Sequence, residues 1–147
     1  MTEFRNQSFT RRFKKMGDEA EQAFRDWADE RGIAYEEFGF KRPELDVAKL
    51  PKRIRYMPDF CTNDYLVECI GCGRDKTAKL AIYKWNALQW WSTIHPVKIF
   101  IWHSTKKQAY LIDLAEFDAA VDALDVELGT FPEKKAYFGI NVDVILV

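Results

Sequence analysis

The chain predicts an α/β fold: a central mixed β-sheet with helices packed on its faces. Three observations lead there. Two stretches space their apolar residues as amphipathic helices do, at 17–31 and 115–128. Short β-rich runs stand at 54–61, 65–70, 97–103 and 109–114. Helical and β-rich segments alternate along the chain, and that order favours a sheet covered by helices. At 147 residues, 48% hydrophobic and 15% aromatic, the chain is expected to form one domain with one core. The core is expected over about 17–114, with 115–147 adding a C-terminal helix and strand.

The elements follow in order. In 17–31, Ala20, Phe24, Trp27 and Ala28 share one helical stripe, and Gly32 suits a helix C-terminus. Residues 33–40 read as a strand. Residues 41–53 are irregular and basic, with room for one short helical turn. Strands are expected at 54–61 and 65–70, and 71–75 (GCGRD) is expected as a loop. Residues 76–94 read as a long helix with Leu80, Ala87, Leu88, Trp91 and Ile94 apolar, closed by Pro96. A strand over 97–103, a turn, a strand over 109–114, a helix over 115–128 and a late strand in 136–147 complete the order α-β-β-β-α-β-β-α-β.

The totals exclude several classes. No run of 18 apolar residues occurs, so no membrane span is expected. The N-terminus is basic without an apolar segment behind it, unlike a secretory signal. Three cysteines do not make a disulfide framework, so a reducing cytoplasm is the expected location. Net charge is −1, but the charge is segregated. Residues 1–16 hold five basic side chains against Glu3, and 41–56 hold six against Glu44 and Asp46. Residues 113–127 hold six acids and no base. Such a field can draw a polyanion to one side of the molecule, although solvated surface charge explains the same pattern.

The stretch YMPDFCTNDYLVECIGCGRDK, residues 56–76, puts one acid into each of two apolar runs. Asn63-Asp64 suits a two-residue hairpin loop, since both tolerate positive φ. Paired residues then sum to 127, and Asp59 faces Glu68. Directly opposed side chains share a face, with Cβ atoms roughly 5 Å apart. Two adjacent carboxylates repel unless a cation lies between them or one is protonated. Mg²⁺ prefers one or two carboxylates plus water and phosphate oxygens. A three-residue loop would instead put the acids on opposite faces, where lysine or arginine would suffice.

Pro58-Asp59 followed by Glu68-Cys69-Ile70 resembles the PD-(D/E)xK nuclease superfamily. The resemblance implies an αβββαβ restriction-endonuclease-like core over roughly 17–103 and a metal-dependent deoxyribonuclease. It implies Mg²⁺ or Mn²⁺ held by Asp59, Glu68 and the carbonyl of Cys69, with Glu21 from the first helix assisting and Glu19 and Glu3 as weaker choices. An ordinary exposed helix glutamate is the other reading of Glu21. The motif lysine should stand at 70, where this chain has isoleucine. In some members the lysine comes from the following helix. Lys79, expected in that helix's first turn, is the first choice here, and Lys84 the second. DNA is the implied partner, contacted by Arg74 and Lys76 after the hairpin and by Arg53 and Arg55 in the basic segment. A junction resolvase, one possible form, would be a homodimer, with 136–147 a candidate interface. An exonuclease, a catalytically inactive nucleic-acid-binding module and an enzyme of unrelated chemistry are the alternatives.

Other features carry less. Cys69 and Cys72 form a C-x-x-C, but a zinc site would also need Cys61 and a histidine, and Cys69 is expected to face away from Cys61. A redox role for the pair lacks supporting pattern. Tyr83, Trp85, Trp90 and Trp91 read mainly as core, with one tryptophan a candidate to stack on an unpaired base. His95 reads as a helix-end residue and His103 as a surface residue.

Overall fold

The computed structural model describes residues 9–39, 45–74, 76–123, 127–130 and 136–142. Helix α1 spans Phe9–Glu30 and leads into strand β1, Tyr35–Glu37. A 3-10 turn at Val47–Lys49 and the short helix α2, Lys52–Arg55, precede β2 (Phe60–Thr62) and β3 (Leu66–Cys72). Strand β4 (Thr77–Ala81) runs directly into helix α3 (Ile82–Trp91). Then come β5 (Val97–His103), β6 (Gln108–Asp113), helix α4 (Leu114–Ala123), β7 (Glu127–Thr130) and β8 (Ala136–Asn141). A five-stranded mixed sheet, β1-β2-β3-β5-β6, forms the centre, with β3 and β5 parallel and the other pairs antiparallel. A second, antiparallel sheet runs β4-β8-β7.

Helix α1 covers one face of the central sheet. Ala20, Phe24 and Ala28, four residues apart, are fully buried. They pack on Phe60, Val67, Cys69 and Phe100. Phe24 is the hub: its ring centre lies 4.8 Å from that of Phe60 and 5.4 Å from that of Phe100. The helix ends as its sequence suggests. Gly32 has φ +66°, Ile33 N–H reaches back to the Ala28 carbonyl at 2.9 Å, and Gly32 N–H reaches Asp29 at 3.2 Å. This is a Schellman stop, and only glycine takes that φ without steric cost. The opposite face of the sheet buries Leu66, Ile99, Ile101 and Ile112 against Leu80, Leu88, Phe117 and Ile140. Asp118 links α4 to α3, accepting from Trp85 Nε1 at 2.8 Å and from Gln89 Nε2 at 2.9 Å.

The hairpin has the expected register. Phe60 pairs with Val67 and Cys61 with Leu66, both summing to 127. Thr62 closes the loop, donating its N–H to the Tyr65 carbonyl and accepting the Tyr65 N–H on its hydroxyl.

Several boundaries differ from expectation. Residues 76–94 are not one helix: Thr77–Ala81 is a strand, and α3 begins only at Ile82. Ala78 and Leu80 are buried while Thr77, Lys79 and Ala81 are not, which is the period of two of a strand. The deciding partner, β8, is some 60 residues away in sequence, with Lys79 opposite Gly139. Ile54 and Arg55 belong to α2 rather than to a strand, and pairing starts at Phe60. Gly71 and Cys72 extend β3 beside Trp102 and His103 instead of opening a loop. The strand expected over 33–40 pairs only at 35–37. Helix α4 stops at Ala123, and Glu127 and Leu128 lie in β7. Strand β8, the expected oligomer interface, is hydrogen-bonded on both sides within the chain. It therefore offers no open edge to a second copy. Residues 143–147 of that segment lie outside the described residues.

Candidate metal and phosphate site

The site forms where β2 and β3 part. In an antiparallel ladder hydrogen-bonded pairs recur every second residue. After Thr62 with Tyr65 and Phe60 with Val67, the next such pair would be Pro58 with Cys69. Proline has no N–H to give, so the ladder cannot continue there. Asp59 takes over with its side chain, whose Oδ2 accepts the Cys69 N–H at 2.8 Å. The backbone of Asp59 is clamped in turn: its carbonyl accepts from Phe38 N–H at 2.9 Å and Gly39 N–H at 3.2 Å. Gly39 allows that approach, because a Cβ there would stand 3.1 Å from the Pro58 carbonyl oxygen. Phe38 and Gly39 carried no sequence signal for this role. The β1 alternation merely ends there.

Glu68 is the central carboxylate, and only 3% of it is exposed. Alternation along β3 turns Val67 and Cys69 toward α1 and Glu68 toward α3. Lys84, in the first turn of α3, meets it there. Its Nζ lies 2.9 Å from Glu68 Oε2 and donates to the Met57 carbonyl at 3.1 Å. The contact with Glu68 is an ion pair by distance but misses hydrogen-bond alignment, so Oε2 is buried with no hydrogen bond among the described residues. Burial pushes the Lys84 ammonium below the ordinary lysine value, and the nearby carboxylates of Asp59 and Glu21 oppose that shift. Acids from the hairpin and from α1 thus act on one ammonium from α3.

The expected residues separate into two groups. Asp59, Glu68, Cys69, Lys84 and Glu21 converge. Lys79 sits on β4, not in a helical turn, and Lys84 is the lysine in contact with Glu68. Glu19 is exposed, and Glu3 lies outside the described residues. Arg74 is exposed in the turn beyond β3. The end of β3 at Cys72 is four residues past Glu68, about 13 Å at 3.3 Å per residue. Lys76, at φ 56°, shapes the same turn, accepting from Val142 N–H at 2.9 Å. Arg55 turns inward to the Ala48 and Leu50 carbonyls and over the Tyr56 ring. Arg53 is exposed. His103, expected at the surface, is 1% exposed, and its Nδ1 accepts the Lys106 N–H at 3.3 Å. Cys69 and Cys72 pack into different core clusters, on opposite sides of β3.

Two carboxylates, Asp59 and the buried Glu68 with its Oε2 against Lys84, are oxygen donors of the kind a hard cation takes. Among the described residues no three His, Cys, Asp or Glu side chains stand together as a group able to hold a metal ion. No protein-family profile and no curated protein matches the chain.

Removing one member of the buried pair leaves the other uncompensated. Lys84→Met is expected to destabilise the metal-free protein by about 3 kcal/mol, and adding Glu68→Leu to recover more than half of it. The pH dependence has a definite sign. Between the depressed folded value and about 10.5, the unfolded chain holds the Lys84 proton and the folded chain does not. The destabilising contribution is complete below the folded value and fades as pH rises through this window. Chelator-treated wild type should gain stability relative to Lys84→Met as pH climbs through it, read by urea unfolding at successive pH values.

Proposed function

We propose that the chain is a metal-dependent deoxyribonuclease of the PD-(D/E)xK type that hydrolyses phosphodiester bonds. The observation that carries this is the buried Lys84 ammonium, 2.9 Å from Glu68 and within the fields of Asp59 and Glu21. Lys84 stands in for the lysine missing at Ile70. The order helix, three strands, helix, strand, with β4 inserted before α3, also supports the reading.

Asp59, Glu68 and the Cys69 carbonyl would hold Mg²⁺ or Mn²⁺. When bound, such an ion acidifies water and offsets charge on the phosphate. The chain's own groups do the rest. Water oxygen bonds to phosphorus as the bond to the departing sugar oxygen breaks, and that oxygen ends protonated. The Lys84 ammonium donates to the attacking water or to a phosphate oxygen, where fixed charge in a dry site is most effective. Glu21 accepts a hydrogen bond from water and keeps it aligned. The fixed Asp59 backbone holds the carboxylate in place before substrate arrives. DNA processing or recombination, in a phage or prokaryotic setting and including junction resolution by a homodimer, is a compatible context.

A second reading has its own observation. The ion pair with Lys84 engages Glu68, so a DNA-binding module that no longer cuts would keep the same arrangement. Plasmid nicking with Mg²⁺ or Mn²⁺ separates the two. Wild type should nick, and Asp59→Ala, Glu68→Ala and Lys84→Ala should each lose about 100-fold or more. Lys79→Ala should stay within about threefold of wild type, since roughly 0.6 kcal/mol is ordinary for a side chain away from the reacting atoms. An inactive wild type that still binds DNA favours the second reading. Activity untouched by Asp59→Ala and Glu68→Ala overturns the first.

A further inference from the structure

A second surface lies on the same helix as Lys84. At the C-terminal end of α3, Trp90 and Trp91 meet edge to face at 5.1 Å. The Trp91 Nε1–H donates to the Arg53 carbonyl at 2.8 Å, tying α2 to α3. The Arg53 guanidinium lies over the Trp90 ring, 4.8 Å from its centre. Lys52 and Arg53 are exposed, and neither has an acidic partner among the described residues. Ile54, in α2, and Ile94, in the turn after α3, are 41% and 60% exposed.

A cation set against a π-face is the chemistry that holds an unpaired nucleic-acid strand. Bases stack on the aromatic or guanidinium plane, and phosphates meet the cations. A paired base in a duplex has its faces covered by its neighbours and cannot use such a plane. Charge supports a nucleic-acid occupant over an acidic or apolar protein patch, since Arg53 lies over the ring and neither it nor its neighbour Lys52 has an acidic partner among the described residues. Position supports one strand serving both places. Six residues of helix separate Lys84 from Trp90, about 9 Å along the axis at 1.5 Å per residue and about a third of a turn around it. At 3.4 Å per stacked nucleotide the axial part alone spans two to three nucleotides, and the offset around the helix adds to it.

We propose that the Arg53–Trp90 stack is a platform for an unpaired DNA base, so that the preferred substrate carries a single-stranded segment within a few nucleotides of the scissile phosphate. This rests on the nuclease reading for the place of cleavage, but the platform itself is tested by binding alone. The measurement is fluorescence anisotropy of the full chain in chelator, with a labelled 20-nucleotide single strand and the blunt duplex of the same sequence. Arg53→Ala and Trp90→Leu should weaken single-strand binding about tenfold and duplex binding less than twofold, within the range for loss of one stacked base. Trp90→Phe, which keeps a ring, should retain most single-strand affinity. Lys52→Ala should weaken both forms alike. Equal weakening of both forms by Arg53→Ala and Trp90→Leu, no weakening, or no binding by wild type overturns the platform. Failure of the nuclease reading is distinct: it would appear as no cleavage with the selective binding losses intact.

Discussion

One buried ion pair constrains the structure around it. Glu68 projects from a central strand into a face built mainly of aliphatic side chains. An ionised carboxylate in such a place loses several kcal/mol of hydration that a single exposed partner cannot return. The fold brings Lys84 in against it, at the expense of the lysine's own hydration, and anchors the ammonium on the Met57 carbonyl. Hydrophobic residues of the same volume would hold the strand and helix together at least as well. An ion pair retained at such a position points to the charges being needed for something other than packing.

The elements around the pair keep it where it is. Pro58 interrupts the β2–β3 ladder, which frees the Asp59 side chain to cap Cys69. Phe38 and Gly39 grip the Asp59 carbonyl, and α1 locks the far side of β3 through Phe24. The charged groups therefore sit on a scaffold of paired strands and buried aromatics rather than on a loose loop, so their positions need little ordering when substrate arrives. Helix α3 joins this site to the tryptophan corner within a single rigid element. Under the proposed function its two ends would address different parts of one strand of DNA, with charge at the start and stacking at the finish.

Local signals in the sequence carried much of this. The Ala20-Phe24-Ala28 stripe, the Gly32 stop and the Asn63-Asp64 turn depend on neighbours in the chain, and all three stand where expected. The register summing to 127 followed from the turn, but pairing stops at Phe60 with Val67, and Asp59 meets the next strand through its side chain at Cys69 instead of pairing with Glu68. What was not legible depends on distant partners. Thr77–Ala81 has mixed helix and strand propensity, and only β8, far along the chain, settles it as a strand. That strand moves Lys79 out of helical geometry and sets the start of α3, which is why Lys84, and not Lys79, reaches Glu68. Arg55 and His103 look like surface residues by type. Their placement is decided by carbonyls of a neighbouring turn and by the end of β5.

The central claim is that the Asp59 and Glu68 carboxylates share one divalent cation beside Lys84. Titration of the protein with Mn²⁺, followed by electron paramagnetic resonance of the free ion, measures this directly. The account predicts one saturable site in wild type that is weakened at least about tenfold by either Asp59→Asn or Glu68→Gln, the loss of one of few ligands. Mn²⁺ uptake that ignores both substitutions would contradict it.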